Sequence, residues 1–281
     1  EVAVKSLLHG TLSEAHTANF VREMELLSEL RHANIVRFMG ACLDEERMCI
    51  LFELCPGSLY DLLHKSEDPL PDPPILVKLM REVALGIYYL HAFDPPVLHL
   101  DLKSANVLLD ENGSAKVCDF GLSHVMEDAA VESGSSMGSP QWTAPEILRG
   151  QSYDQKADTY SYGVLLYEVM SRTVPYSGRD QCELVVGVIT KLLPRPELTA
   201  DQAAPWPPRL PELMLRCYAE EPADRPDFAG VLDELDRLVP KERKMTTFMP
   251  TAGLFDGSPR ANLGSGRDLY QIAEVSSRDS P

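Results

Sequence analysis

The stretch His99–Asp110, HLDLKSANVLLD, sets an aspartate, a lysine and an asparagine among apolar residues. The run VLLD that ends it and the run AKVC (Ala115–Cys118) are joined by ENGS, whose Asn112-Gly113 pair supplies the positive φ of a tight connection. The two runs therefore predict a β-hairpin. A hairpin brings its two ends together, so Asn106 at its start faces Asp119, which follows its end in CDFG. One amide oxygen and one carboxylate suit Mg²⁺, a hard cation that keeps several waters and takes further ligands from phosphates. Asp101 then lies near the same point, placed to accept the proton of a hydroxyl.

The rest of the chain is that of an ordinary globular protein. Its 281 residues are enough for one large domain or two lobes with separate cores. A hydrophobic fraction of 44% with 25% charged residues excludes a disordered or membrane-embedded class. No apolar run is long enough to span a bilayer, and no basic-then-apolar leader suggests secretion. The net charge of -17 argues against a nucleic-acid or anionic-membrane partner. Six scattered cysteines, without a C-x-x-C pair or a nearby histidine cluster, argue against structural zinc and for reduced thiols in the cytoplasm or the nucleus. The chain opens on Glu1, directly in an apolar strand, which reads as a piece of a longer polypeptide.

Read along its length, VAVK (Val2–Lys5) is a strand, and from Ser13 a helical stripe carries Phe20, Met24 and Leu27 with Glu23 beside it. NIVRFMG and MCILFEL read as strands, and CPGS (Cys55–Ser58) breaks the chain. Asp72 before Pro73 and Pro74 marks a helix start, with Leu76, Met80, Val83, Ile87 and Leu90 at helical spacing behind it. Residues 122–141 read as a mobile loop rich in Ser and Gly. ADTYSYGVLLYEVM is apolar almost all round, the pattern of a helix buried in the centre of a lobe. Further helices fall near 180–190, 209–219 and 227–238. The layout is α+β, with a small β-rich part over 1–54, a larger helical part over 55–239, and a tail over 240–281 whose composition predicts disorder.

These motifs, in this order, resemble the protein-kinase family. HLDLKSANVLLD resembles its catalytic loop, DFG its metal-binding turn, APE (Ala144–Glu146) the end of its activation segment, and VAVK the strand whose lysine holds the ATP phosphates. The resemblance covers roughly residues 1–238 and implies a two-lobed fold. It also implies a chemistry of positioning and electrostatic stabilisation with ATP and Mg²⁺. Lys5 would pair the α/β-phosphates and Glu23 would hold Lys5. Asp101 would be the catalytic base and Lys103 would steady the transferring group, while Asn106 and Asp119 would bind Mg²⁺. Ala3 and Leu108 would sandwich the adenine, Glu53 and Cys55 would offer it backbone hydrogen bonds, and Phe52 would close the back of the pocket. Asp158 would anchor the catalytic-loop backbone and Arg225 would pair with Glu146.

Finer features resemble the tyrosine-kinase-like group that includes Raf and the plant ethylene-response kinases: LRHANIVRFMGAC, GSLYDLLH and RPDF. The lysine of DLKSAN implies serine/threonine rather than tyrosine acceptors on protein substrates in intracellular signalling. A nucleotide-binding pseudokinase scaffold and a dual-specificity or tyrosine kinase are the alternatives; the complete set of metal and base residues speaks against the first and Lys103-Ser104 against the second. His99 reads as a packed structural histidine in a column with Leu27 and Phe120, and Cys118 as a buried small hydrophobe.

Two departures stand out. The family's glycine-rich loop and first two strands would precede VAVK, so this chain shows a partial small lobe with Lys5 on an edge strand, and the fragment by itself need not be active. Leu100 stands where most family members carry an arginine that pairs with a phosphorylated loop residue. A phosphate on Ser133, Ser135, Ser136 or Ser139 would therefore lack that partner.

Overall fold

In the computed structural model, which describes residues 1–7, 14–44, 48–67, 69–125, 139–239 and 270–275, the strand Val2–Leu7 (β1) carries Lys5 into the interior. The helix Glu14–Glu29 (α1) lies next in the chain and buries Phe20, Glu23 and Leu27, residues spaced three to four apart and so on one face. β2 (Phe38–Cys42) and β3 (Cys49–Glu53) complete an antiparallel sheet in which Ala3 pairs with Phe52 and Lys5 with Ile50.

The expectation that β1 is an edge strand is corrected. Residues Tyr270–Val275 form a strand (β9) antiparallel to β1, with Lys5 opposite Ile272, so the sheet order is β2-β3-β1-β9. This strand falls within the tail that composition assigns to disorder. An open edge presents a row of unpaired backbone groups, and a short run with Tyr, Ile and Val satisfies them; averaging over the whole tail hides that run. Residues 240–269 and 276–281 lie outside the described residues.

Beyond Glu53 the chain enters a helical body. β4 (Gly57–Ser58) leads into a π-turn, Asp61–Lys65, and α2 (Pro73–His91) buries the apolar stripe expected of it. β5 (Val97–Leu98) precedes the catalytic-loop stretch, and β6 (Val107–Leu109) and β7 (Ala115–Val117) form the predicted hairpin, Val107 opposite Val117. Gly113, at φ 69°, closes that hairpin while Asp110 Oδ1 accepts the N–H groups of Asn112 and Ser114. β8 (His124–Val125) pairs with β5 at the start of the stretch read as a loop; residues 126–138 of that stretch lie outside the described residues.

The remaining helices are α3 (Pro145–Leu148), α4 (Lys156–Ser171), α5 (Gln181–Ile189), α6 (Ala200–Ala203), α7 (Arg209–Cys217) and α8 (Phe228–Leu238). Of the 16 residues of α4, 14 are buried, as its all-round apolar pattern predicts. At Gly163 a β-carbon would come within 2.8 Å of Cys217 Cβ, so only glycine lets α4 and α7 approach this closely. One continuous apolar cluster runs from Phe20, Leu27 and Ile50 through Met80 and Leu165 to Phe228 and Leu235, and holds the small sheet and the helical body together. Among the described residues no helix is long and apolar enough to cross a membrane.

Candidate active site

The hairpin does bring its ends together: the Cys118 N–H donates to the Asn106 carbonyl at 3.0 Å, which sets Asp119 beside the catalytic-loop stretch. Around this junction the structure gathers two groups of charged side chains, nearly all buried.

The first group spans the sheet and the helical body. Lys5 Nζ lies 2.7 Å from Glu23 Oε1 and 3.0 Å from Asp119 Oδ1. Burial raises the Glu23 carboxyl above its ordinary range, against the opposing pull of Lys5. Burial acts upward on Asp119 too, but the charge and hydrogen bond of Lys5, with Lys103 and His99 adding to them, hold it below the usual carboxylate value. Gly121, the glycine of DFG, lies against this cluster: a β-carbon there would make ordinary contact with Asp119 Oδ1 at 3.4 Å and Lys5 Nζ at 3.8 Å.

The second group centres on Asp101. Its Oδ2 accepts hydrogen bonds from Lys103 Nζ at 2.7 Å and Asn106 Nδ2 at 2.9 Å. Its Oδ1 accepts one from the Ser139 N–H at 3.3 Å, and Lys103 Nζ also reaches Ser139 Oγ at 2.8 Å. Asn106 Oδ1 is buried and accepts no hydrogen bond among the described residues. A buried acceptor without a donor is costly. A cation at this point would satisfy it, and the ionised Asp119 nearby supplies the charge such a cation needs. No group of three or more His, Cys, Asp or Glu suited to a metal occurs among the described residues. The donor set thus fits an ion that takes most of its ligands from water and phosphate, as Mg²⁺ does.

A buried scaffold fixes the loop between these groups. Asp158, in α4, has no exposed surface and accepts the N–H groups of His99 at 2.9 Å and Leu100 at 2.8 Å, with His91 Nε2 at 2.9 Å. Burial would raise its carboxyl, but the His91 hydrogen bond and charge, with His99 behind them, keep it low. Leu100 adopts φ 63°, a left-handed conformation that costs a non-glycine residue about 1–2 kcal/mol. Its N–H bond to Asp158 offsets that cost, and its side chain packs on the core. His99 is the structural histidine expected: its Nδ1 accepts the Asp101 N–H, its Nε2–H donates to the Cys118 carbonyl at 3.0 Å, and its ring lies 5.3 Å from that of Phe120.

Of the residues assigned to the adenine, Ala3 and Phe52 are cross-strand partners, and Leu108 lies on β6 opposite Ser58. The Glu53 side chain is taken up elsewhere, by the Arg37 N–H at 2.8 Å and Lys116 Nζ at 3.1 Å, so only its backbone faces the assigned role. Burial, with Glu53 adding to it, pushes the Cys55 thiol up to about 12, and burial pushes Cys118 well above its ordinary value, which disfavours the thiolate at both.

Arg225 forms the expected pair with Glu146, at 2.6 and 2.9 Å, and its other donors go to the carbonyls of Lys156, Ala219 and Glu220. The sequence reading grouped Ser139 with Ser133, Ser135 and Ser136 as a loop position for a phosphate, and missed its burial against Lys103. It also missed Glu168 and Trp142, bonded to one another at 3.1 Å. Lys103, Ser104, Ser139, Trp142 and Val185 help line a cavity of about 550 Å³.

This arrangement can hold a phosphate chain at Lys5, a cation at Asn106 and Asp119, and a hydroxyl at Asp101. Residues 1–235 match the family model described as protein tyrosine and serine/threonine kinase. The chain is 38% identical over 239 residues to the probable serine/threonine-protein kinase drkA of Dictyostelium discoideum, covering 85% of this chain and 36% of that protein. Against two kinases of Arabidopsis thaliana, serine/threonine-protein kinases CTR1 and STY17, the identities are 38% and 35%, each over 85% of this chain and over 29% and 40% of theirs. The chain thus spans between 29% and 40% of the length of these curated relatives. It belongs to the protein tyrosine and serine/threonine kinase family.

Proposed function

We propose that this chain transfers the γ-phosphoryl group of Mg-ATP to serine and threonine hydroxyls of protein substrates. The observation that carries this reading is the convergence of the Asp101 carboxylate, the Lys103 ammonium and the orphaned Asn106 Oδ1 in one buried cluster.

In this reading Asp101 accepts the acceptor hydroxyl's proton as the oxygen attacks. Asn106 Nδ2 fixes the orientation of that carboxylate, and Lys103 places positive charge where the transferred group gains negative charge. Lys5, steadied by Glu23, holds the α/β-phosphates. Asn106 Oδ1 and Asp119 would hold Mg²⁺, which would neutralise phosphate charge. Ala3, Leu108 and Phe52 with the backbone of Glu53 and Cys55 form the adenine site. Residues 1–54 supply Lys5 and Glu23, and residues 55–239 supply the acceptor-side groups.

Serine and threonine are favoured over tyrosine by the lysine two residues after Asp101 and by the names of the relatives, which are called serine/threonine kinases. The test is incubation with γ-labelled ATP and degenerate peptide libraries containing serine, threonine or tyrosine as sole acceptor. Label on serine and threonine peptides, abolished by EDTA, is expected. Label on tyrosine peptides, or none with any library, would overturn the proposal.

A further inference from the structure

The cysteines are scattered through the sequence, but the fold sets two of them face to face. Cys42 ends β2 and Cys49 begins β3, and the two are direct partners in the antiparallel register. Directly opposed residues point to the same face of a sheet. Here that face is the outward one, because the next residue of β3, Ile50, is fully buried and belongs to the core face. Both cysteines are free and half-buried. None of the other four lies on a described strand. Cys118 and Cys217 are buried, burial pushes Cys217 up to about 12 as it does Cys55, and Cys182 is exposed on α5.

The pairing fits a disulfide. Opposed Cα atoms in an antiparallel pair lie about 4.5 or 5.5 Å apart, according to whether the pair exchanges backbone hydrogen bonds, and a disulfide spans about 4.4–6.8 Å. Either kind of pair falls inside that range. The Cβ atoms of opposed residues lie about 4.5–5.5 Å apart and must close to roughly 4 Å. That movement is easiest where these residues stand, at the ends of both strands. A bond here also has something to hold. β2 is the outer strand of the order β2-β3-β1-β9, and its register with β3 shifts between Phe38 and Gly40. A strand paired on one side through an interrupted ladder opens more readily than its neighbours. Three and four residues beyond Cys49, β3 carries Phe52 and Glu53, both assigned to the adenine site.

We propose that Cys42 and Cys49 form an oxidisable dithiol, which a peroxide converts to a disulfide that fastens the outer hairpin of the sheet. The proposal is independent of the phosphotransfer reading. One thiol attacks hydrogen peroxide, gains an oxygen as sulfenic acid and releases one water. The second sulfur then attacks the first: the S–S bond forms, the S–O bond breaks, and the hydroxyl leaves with the second thiol's proton as another water. Together the two thiols lose two electrons and two protons, and one peroxide becomes two waters. A small dithiol restores both thiols by exchange. In a reducing compartment the pair therefore rests as thiols and the bond is transient.

The test treats the folded, reduced chain with hydrogen peroxide, weighs it, alkylates the remaining thiols and maps the tryptic peptides by mass spectrometry. Trypsin cuts after Arg47, between the two cysteines, so a joined pair of peptides reports the bond. The parent is expected to become about 2 Da lighter, the mass of the two hydrogens lost, with Cys42 joined to Cys49. Its Tm should rise by about 3 °C or more over the reduced form, because the bond restrains the unfolded chain. Dithiothreitol should reverse both changes, and neither Cys42→Ser nor Cys49→Ser should show the joined peptides or the rise. Peroxide that leaves both thiols free, carries either to sulfinic acid or joins either to a different cysteine would overturn the proposal. So would a joined pair that melts no higher than the reduced protein. Each of these results leaves the phosphotransfer reading untouched.

Discussion

Lys103 and Ser139 are in contact: the ammonium lies 2.8 Å from the hydroxyl oxygen, and the Ser139 N–H points to Asp101 at 3.3 Å. Under the proposed function a serine held in this way belongs to the transfer site, and its burial withholds it from regulatory phosphorylation. Hydrogen bonds to charged groups contribute about 1.5–3 kcal/mol, and about 1.4 kcal/mol corresponds to a tenfold change in rate. Ser139→Ala is therefore expected to lower kcat roughly tenfold or more. Ser133, Ser135 and Ser136 lie outside the described residues, and with Leu100 offering no cation to a phosphate, their joint replacement by alanine should leave turnover within a few-fold. Steady-state kinetics on the two variants checks both halves.

Asp158 ties two backbone N–H groups of the catalytic loop to α4, and its carboxyl is held below the ordinary value. Asp158→Asn turns an NH₂ group toward one of those donors and should destabilise the fold by about 2–4 kcal/mol at neutral pH. The sign with pH follows from the depressed value. The ionised group's contribution is complete above the ordinary carboxylate value of about 3.9 and is lost as pH falls through its lower folded-state value. Urea unfolding should give the same difference between parent and variant at pH 7 and pH 5, shrinking only in more acid solution. A difference that already shrinks between pH 7 and pH 5 would contradict this.

The Arg225–Glu146 pair is buried, and every guanidinium donor is engaged. Removing one partner strands the other's charge, which costs about 3–5 kcal/mol. Glu146→Ala and Arg225→Ala should each lower stability by that amount, and the double variant should cost less than their sum. Thermal and urea unfolding of the four proteins would reveal any additivity.

The sequence makes some of these features legible and hides others, for physical reasons. The hairpin, the helix over 73–91 and the buried α4 each announce themselves by periodicity or turn chemistry, and the meeting of Asn106 with Cys118, the residue before Asp119, follows from the hairpin alone. Ser139 is hidden because it ends a stretch rich in Ser and Gly, so local composition says loop, while distant contacts to Lys103 and Asp101 hold it. Glu168 is hidden because one carboxylate in an apolar helix looks like an interruption, and its three partners, Trp142, Ser104 and His64, come from 26 to 104 residues away. Strand β9 is hidden because its partner is at the opposite end of the chain.

Asp101 stands at the centre of the proposed chemistry, and replacing it tests that chemistry most directly. Asp101→Asn removes the proton acceptor but retains Lys5, Glu23, Asn106 and Asp119, the groups assigned to nucleotide and metal. General base catalysis contributes roughly 10²–10⁴-fold. Transfer of label from γ-labelled ATP to the serine peptide should therefore fall at least a hundredfold, while Mg-ATP affinity measured by calorimetry stays within a few-fold of the parent. A folded Asp101→Asn protein that retains more than a few per cent of the parent's turnover would show that the base lies elsewhere.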